Sequence, residues 1–476
     1  MELVGRTNEI AIMQKLLLSK KSEFLAMYGR RRIGKTFLIR EVYKANTVFD
    51  CSGVNDDQMQ MQLDKFYASL CNYYPASKLF EQPKTWLQAF LYLEKYIQSK
   101  KSKTKKVIFL DEVSWFDTHK SGFLAALNIF WNDFCTKRND VVLVICGSAA
   151  SWIIDKVINN KGGLHNRITR QIQLLPFNLA ETKLYLQALQ VKLTNKDIVQ
   201  LYMATGGVPF YLDAIEPGES VQQILEHLFF SKNALLKNEF QNLYASLFKN
   251  HEQHEKIVKT LAGKQNGFTR NELLVKTKLS SGGAFTKLLT ELVQCGFVME
   301  VLPYGKSKDD TLYRLCDEYT YFYYKFINTK NANASWQECT NQTSYTTWCG
   351  YAFENICLKH IAQIKEALKI AGIVSHAASW VAKGSGAEKG AQIDLLIDRA
   401  DNCINICEAK FYNEPLTITK AMALNMQNKL SIFRQKNKVT KNIFVTMITT
   451  YGVIKNENAL SVVTNYIELD ALFKNL

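Results

Sequence analysis

The segment Gly29-Arg30-Arg31-Arg32-Ile33-Gly34-Lys35-Thr36 places glycines, a lysine and a hydroxyl at the spacing GxxxxGK[ST]. Glycines let backbone N–H groups close around a phosphate, and the N-terminus of a following helix adds the positive end of its dipole. At this spacing Lys35 reaches the β- and γ-phosphates, and Thr36 offers its hydroxyl to Mg²⁺. Residues 29–36 are therefore predicted to bind a nucleoside triphosphate.

Two adjacent carboxylates, Asp111 and Glu112, follow the apolar run 107–110. An acid at the end of a buried strand can hold Mg²⁺, directly or through water. A second acid beside it can orient and activate a water molecule for attack on the γ-phosphate. We therefore predict that Asp111 contributes to the magnesium site and that Glu112 is the catalytic base.

Other polar residues are candidates for contact with the nucleotide. Ser148 follows the apolar run 141–146. It either senses the γ-phosphate or caps the next helix, and the sequence leaves both readings open. Arg167 and Arg170 either neutralise negative charge in the transition state, in cis or in trans, or are ordinary surface arginines.

These motifs together resemble the archaeal-type ATPases, which belong to the STAND branch of the AAA-related P-loop NTPases. The resemblance rests on the P-loop, the Asp111-Glu112 pair, Val4-Gly5-Arg6 with Glu9, and Thr205-Gly206-Gly207-Val208-Pro209. It implies ATP as the nucleotide, the opening segment near the adenine, and Pro209 in contact with the nucleotide from a helical lid. It also implies a winged helix after the lid and a further C-terminal domain.

The C-terminal part of the sequence carries a second group of charged residues. Asp394 begins one apolar run, and Glu408 and Lys410 end another. Residues 408 and 410 of a strand point to the same face, and Asp394 of a neighbouring strand can meet them. Paired carboxylates bind a divalent ion, and a nearby lysine can steady developing charge. Glu354, on a preceding helix, is a candidate for a further metal ligand.

This arrangement resembles the PD-(D/E)xK nuclease superfamily, although Ile393 stands where the proline of the motif is usual. The resemblance implies that Asp394 and Glu408 hold Mg²⁺, that Lys410 is catalytic and that Glu354 assists. Such folds also occur as inactive binding modules, so the sequence leaves both possibilities open.

The elements that must position these residues can also be read from the sequence. Short apolar runs at 24–28, 47–51, 107–110, 141–146 and 172–175 alternate with helical patterns such as 84–98. This alternation predicts a parallel sheet covered on both faces. Helices at 252–262, 269–276 and 281–295, then strands at 297–302 and 311–315, predict a winged helix. A purely structural helical lid is the alternative, because Lys287 is the one basic residue of the third helix.

The polar stretch 331–347 reads as a linker. After it we expect a helix at 351–368, strands near 373–381, 391–397 and 403–409, a helix at 418–435 and a strand at 442–448. The predicted domains are an ATPase domain (1–215), a helical lid (216–250), a winged helix (251–335) and a restriction-endonuclease-like domain (340–476). The fold class is α/β, with the P-loop NTPase parallel sheet first and the small α/β domain last.

The composition limits the class of protein. The chain of 476 residues has 59 lysines and arginines against 44 acids, a net charge of +15, and 47% hydrophobic residues. This is ordinary globular composition with an excess of positive charge that favours an anionic partner. The 11 cysteines form no Cys-x-x-Cys pair, so a disulfide framework or a zinc site is not expected. No apolar run reaches membrane-spanning length and no signal peptide is seen, so a cytoplasmic protein is expected.

Together these features predict an ATP- and Mg²⁺-dependent ATPase joined through a winged helix to a nuclease-like domain that acts on DNA. Any homo-oligomer is expected to form on ATP binding, and no membrane partner is expected. The alternative is a regulatory ATPase whose C-terminal domain only binds DNA or protein.

Overall fold

The structure is a computed structural model that describes residues 3–55, 58–102, 104–159, 166–248, 251–329, 335–382, 384 and 390–475. It divides into two compact units, Met1–Leu175 and Pro176–Leu476. In the described part of the chain, no helix is long and apolar enough to cross a membrane.

The first unit is built on a parallel sheet whose five strands lie in the order β2-β3-β4-β1-β5. The strands are β1 (Glu23–Tyr28), β2 (Thr47–Ser52), β3 (Lys106–Asp111), β4 (Val141–Gly147) and β5 (Arg170–Gln173). Their boundaries lie within a few residues of the apolar runs in the sequence. Every residue of β3 and β4 is buried, as expected for central strands of a sheet covered on both faces.

Helices cover both faces of this sheet. They are α1 (Thr7–Leu17), α2 (Lys35–Tyr43), α3 (Met59–Tyr73), α4 (Trp86–Ser99), α5 (Phe123–Ile129) and α6 (Ala150–Trp152). Alternate residues of β1 enter two separate cores. Phe24 belongs to the same core as Trp86 of α4, whereas Leu25 belongs to the same core as Leu38 of α2. The chain runs from the end of β1 through residues 29–34 into α2. This loop therefore lies at the carboxyl edge of the sheet.

The second unit begins with helices and ends with a mixed sheet. Its helices up to the first hairpin are α7 (Leu179–Ala188), α8 (Asn195–Thr205), α9 (Pro209–Leu212), α10 (Val221–Leu225), α11 (Glu239–Ala245), α12 (His251–Ala262), α13 (Arg270–Thr277) and α14 (Gly283–Gln294). The later helices are α15 (Glu318–Phe322), α16 (Trp336–Thr340), α17 (Thr343–Lys359), α18 (Ile361–Ala367), α19 (Lys420–Asn437) and α20 (Glu457–Val462).

Residues 251–315, which we call the helix–hairpin module, comprise α12, α13 and α14 with three short strands. These strands are β6 (Phe268–Thr269), β7 (Val298–Val301) and β8 (Leu312–Leu315), which pair in the order β6-β8-β7. Thr269 caps α13 in a capping box with Glu272, as its N-cap pattern predicts. The helices and the hairpin thus follow one another in the order expected of a winged helix, an assignment that stays a prediction.

The C-terminal sheet has the order β15-β13-β11-β10-β9. Its strands are β9 (Ser375–Ala382), β10 (Ala391–Arg399), β11 (Cys403–Lys410), β13 (Asn442–Thr449) and β15 (Asn465–Glu468), and β12 (Leu416–Thr417) pairs separately with β14 (Val453–Ile454). Strands β9, β10 and β11 are antiparallel, whereas β11, β13 and β15 are parallel. A bulge in β10 falls between Ile393 and Leu396. The bulge includes Asp394, and bulges re-aim side chains at such points.

Two expectations for this region were wrong. Of the expected linker, the described part is largely helical: Ser335 caps α16 in a capping box with Glu338, and α17 starts at Thr343. The expected single helix is interrupted at His360, which separates α17 from α18. The His360 ring accepts a hydrogen bond from the Leu179 N–H at 3.2 Å and donates one to the Ile356 carbonyl at 2.8 Å. A tertiary contact therefore interrupts a helical pattern that looks continuous in sequence.

Candidate functional site

The phosphate-binding segment is a loop between β1 and α2. Two of its glycines have backbone conformations that side chains rarely adopt, with φ of 149° at Gly29 and 85° at Gly34. A Cβ at Gly29 would lie 2.2 Å from the Leu174 carbonyl oxygen, so no larger residue fits there. The side chain of Ile33 is buried in the core below the loop. The loop is therefore held closed by its glycines and anchored by Ile33.

Lys35, the first residue of α2, is buried and points back into the loop. Its Nζ donates hydrogen bonds of 2.7 Å to the carbonyl oxygens of Gly29 and Arg30. The ammonium group thus lies under the loop, where a phosphate chain can replace the carbonyls as its partner. Arg30 is itself buried, and Arg31 and Arg32 are half-buried.

Thr36 and Asp111, the two predicted magnesium ligands, are in direct contact. The Thr36 hydroxyl donates a hydrogen bond of 2.8 Å to Asp111 Oδ2. Burial raises the pKa of the Asp111 carboxyl, and the hydrogen bond from Thr36 opposes this effect. A hydroxyl and a buried carboxylate side by side are the oxygen ligands that Mg²⁺ takes in nucleotide sites, so these residues fit the ion.

Glu112 follows β3 with φ of 46°, a left-handed conformation that is uncommon outside glycine. Ser148, at the end of β4, holds its carboxylate. The Ser148 hydroxyl lies 2.9 Å from Glu112 Oε2, and the Ser148 N–H donates to the same oxygen at 3.1 Å. The expectation that Ser148 caps the next helix was wrong, because Ala149 occupies the N-cap of α6. In this conformation Ser148 orients Glu112.

The other predicted nucleotide contacts are more scattered. Arg6 is buried and its guanidinium donates to the Ile33 carbonyl at 3.3 Å, which links the opening segment to the loop. Arg167 is exposed. Pro209 is the buried first residue of α9 in the second unit. Before it, Gly207 has φ of 66°, and a Cβ there would lie 2.3 Å from the Phe177 carbonyl oxygen.

The C-terminal candidates lie together on adjacent strands. Leu395 of β10 pairs with Cys407 of β11, so Asp394 and Glu408 are the next residues of each strand. Lys410 Nζ lies 3.7 Å from Glu408 Oε2, as expected of residues two apart on one face of a strand. Burial raises the pKa of Glu354 to about 8, and the nearby carboxylates of Asp394 and Glu408 add to this effect. The four predicted residues thus occupy one neighbourhood.

Their immediate partners, however, are protein side chains. Glu408 is paired with Lys429 of α19, and Glu354 accepts a hydrogen bond from Gln265. A guanidinium nitrogen of Arg314 lies 3.8 Å from Glu354 Oε2. Among the described residues, no group of three or more His, Cys, Asp or Glu is arranged to hold a metal ion. In this conformation cationic side chains are the nearest charged partners of Glu354 and Glu408.

Sequence reasoning missed three of these residues, Gln265, Arg314 and Lys429. No local motif marks them, because each reaches the carboxylates from an element distant in the chain. Arg314 sits within the apolar run of β8, and a charged residue in a short, buried strand is the one signal that could have drawn attention to it.

Residues 3–215 match the model of a family described as an ATPase domain predominantly from Archaea. An uncharacterized protein of Methanocaldococcus jannaschii is 23% identical over 416 residues, which cover 83% of each chain.

Solved structures are similar at lower identity. The Walker-type ATPase of Pyrococcus abyssi is 15% identical with a TM-score of 0.49, over 68% of this chain and 96% of that one. The Aeropyrum pernix ORC2 protein in its ADPNP–ADP complexes is 14% identical with a TM-score of 0.33, over 66% and 90% of the two chains. A STAND protein of Pyrococcus horikoshii with a tetratricopeptide-repeat sensor is 15% identical with a TM-score of 0.30, over 78% and 52%.

Proposed function

We propose that residues 3–215, which match the model of an archaeal-type ATPase domain, form an ATPase that the chain couples to a C-terminal nuclease-like domain acting on DNA. The observation that carries the ATPase part is the contact between Thr36 and Asp111 beneath a closed glycine loop, with buried Lys35 beside them.

In the proposed reaction, Lys35 and the backbone of residues 29–36 bind the phosphates of ATP. Thr36 and Asp111 hold Mg²⁺, which neutralises charge on the phosphates when it is bound. Glu112, oriented by Ser148, accepts a proton from the attacking water. We assign Arg167 to charge stabilisation in the transition state and Pro209 to nucleotide contact.

For the C-terminal domain we propose Asp394 and Glu408 as ligands of a divalent cation, with Glu354 as a further ligand and Lys410 as the catalytic lysine. The placement of Asp394 and Glu408 directly beside the paired residues Leu395 and Cys407 of β10 and β11 supports this assignment. The closeness of Lys410 to Glu408 supports it as well. The net charge of +15 favours DNA as the anionic partner.

A second candidate is a regulatory ATPase whose C-terminal domain only binds DNA or protein. The specific observation that favours it is the pairing of Glu408 with Lys429 and of Glu354 with Gln265 and Arg314. Buried carboxylates that have such partners need no metal ion to be stable.

Cleavage assays distinguish the two candidates. Purified protein is incubated with plasmid DNA and with RNA, each with and without Mg²⁺ and ATP, and ATP hydrolysis is followed in parallel. We expect cleavage that Asp394→Ala and Lys410→Ala abolish while ATP hydrolysis is largely kept, because the two sites lie in separate domains. Intact nucleic acid in every arm, with normal ATP hydrolysis, would leave the regulatory ATPase as the function.

A further inference from the structure

The turn of the β7–β8 hairpin lies against the C-terminal sheet. The Tyr304 N–H donates a hydrogen bond of 2.7 Å to the Ser379 carbonyl of β9, and Pro303 forms a parallel bridge with Ser379. The Tyr304 ring packs on Phe433 of α19, with 5.4 Å between ring centroids. The helix–hairpin module is thus docked on β9, the last strand of the sheet order.

Polar contacts of the same module reach the carboxylates. Gln265, in the loop after α12, donates to Glu354. Its neighbour Asn266 accepts from Gln392 Nε2 at 3.0 Å, and that amide also donates to Asp394 Oδ1 at 2.5 Å. One loop of the module therefore engages Glu354 directly and Asp394 through Gln392.

Arg314 completes the contact from β8. Its side chain is 4% exposed, and a guanidinium nitrogen lies 3.8 Å from Glu354. Its Nε and one terminal nitrogen make no hydrogen bond among the described residues. Arg314 and Asp394 both line the space between module and sheet, which amounts to about 10 Å³. This is room for about one water molecule and none for a nucleotide.

We propose that the helix–hairpin module is an autoinhibitory cover of the C-terminal carboxylate site, with Arg314 in the place of a divalent cation. The inference rests on the proposed function of that site. The docked module closes the space beside the half-buried Asp394, and a metal ion must compete with a cation already beside Glu354. Release of the hairpin from β9 removes both obstacles in one motion.

The physical basis of the cover is an exchange of cations. Glu354 and Asp394 repel each other when both are ionised, and a positive charge beside them relieves that repulsion. Arg314 supplies that charge in the docked state, so the docked site is stable without metal. Once Arg314 withdraws, a proton or a metal ion must relieve the repulsion instead, and the affinity for a divalent ion should rise.

The test uses the full-length protein without nucleotide and Mn²⁺ alone as the probe. Tyr304→Ala removes the ring from Phe433 and weakens docking, and Val275→Ala is the matched control, because Val275 is 78% exposed on α13 of the same module. Adding Pro303→Cys and Ser379→Cys to Tyr304→Ala allows a disulfide to restore docking. Bridged residues lie about 5 Å apart, within the span of a disulfide. Each single-cysteine variant controls for oxidation of native thiols.

Mn²⁺ affinity is measured from the electron paramagnetic resonance signal of the free ion. The Asp394→Asn variant measures how much Mn²⁺ binds at other sites of the protein. We expect Tyr304→Ala to raise the affinity about tenfold or more, a change of about 1.4 kcal/mol, and Val275→Ala to leave it unchanged. Oxidation of the triple variant should remove the gain and reduction should restore it. Cleavage of plasmid DNA should follow the same pattern.

The proposal that the module covers the site would be overturned by unchanged Mn²⁺ affinity in Tyr304→Ala. It would also be overturned by a gain in Mn²⁺ affinity that the disulfide does not reverse. If Mn²⁺ binding follows docking but no variant cleaves DNA or RNA, the cover stands and the proposed nuclease function fails. If Asp394→Asn matches the parent in every docking state, the site binds no metal and both proposals fail.

Discussion

At the scale of single residues, one side chain of the ATPase site holds another in place. Glu112 has an uncommon left-handed backbone, and Ser148 holds its carboxylate through both the hydroxyl and the N–H. A base held in one orientation is ready to act on a water molecule without reorganisation. We therefore expect Ser148 to act as a positioning residue for the proposed base, and its contribution should appear in turnover.

We expect Ser148→Ala to lower kcat for ATP about tenfold, since Glu112 keeps the N–H contact but loses the hydroxyl. KM should change little, because no hydrogen bond among the described residues joins Ser148 to the phosphate-binding loop. Ser148→Thr keeps the hydroxyl and should restore most of the rate. Equal loss in both variants would assign Ser148 a packing role instead.

Lys35→Ala should abolish or severely weaken Mg-ATP binding, because the phosphates lose their charged partner. Lys44→Ala is the matched control, since Lys44 is exposed just after α2. Glu112→Gln should keep nucleotide binding and lose hydrolysis, because it removes the base but little of the binding charge. Binding is measured by nucleotide titration, and normal affinity in Lys35→Ala would contradict the site.

The buried side chain of His360 predicts how the stability of the folded protein changes with pH. Burial lowers the pKa of His360 to about 4, from 6.5 for an unperturbed histidine. Between these values the unfolded chain binds a proton that the folded chain excludes, so stability is lost as pH falls through this window. His360→Gln should remove part of that dependence. Urea midpoints near pH 7 and pH 5 should converge in the variant, and an unchanged difference would contradict the assignment.

At the scale of elements, Gly267 decides how the helix–hairpin module presents its loop. Its φ is 75°, and a Cβ there would lie 2.1 Å from the Tyr313 carbonyl oxygen. The missing side chain lets β6 lie close to β8, and this brings Gln265 and Asn266 beside Arg314. The close approach of two backbones thus forms the surface that meets the carboxylates.

Gly267→Ala should destabilise the protein by about 1–3 kcal/mol, because backbone must shift to relieve both the contact and the positive φ. Gly263→Ala is the matched control, since its Cβ would meet only the Thr260 carbonyl oxygen at 3.4 Å. Thermal unfolding measures both variants. A similar melting temperature for the two would show that the β6–β8 approach is not constrained by the glycine.

The sequence predicts elements well where the signal is local. The apolar runs of the first unit mark β1 to β5, because buried parallel strands are apolar throughout. Residues 29–36 and the pair Asp111-Glu112 are recognisable because phosphate chemistry fixes their spacing. The break at His360 and the charge partners of Glu354 are not recognisable, since they depend on contacts between elements far apart in the chain.

At the scale of the whole molecule, the net charge of +15 bears on the proposed binding of DNA. Each neutralised phosphate releases counterions, so affinity should fall steeply as salt rises, with a slope of about −0.9 per phosphate contacted. Fluorescence anisotropy with labelled duplex DNA over a salt series measures this slope. Absence of binding at low salt would indicate that the positive charge is spread evenly or serves a protein partner.

The bridge between Pro303 and Ser379 has a consequence for self-association. Strand β9 ends the C-terminal sheet, and unpaired strand edges are templates for pairing with another chain. The hairpin turn pairs with Ser379 in the middle of that edge, so its release would remove an obstacle to pairing along the whole edge. Two released copies could pair edge to edge, and exposure of the carboxylates would then be linked to protein concentration. We expect Tyr304→Ala to sediment as a dimer at concentrations where the parent protein is monomeric.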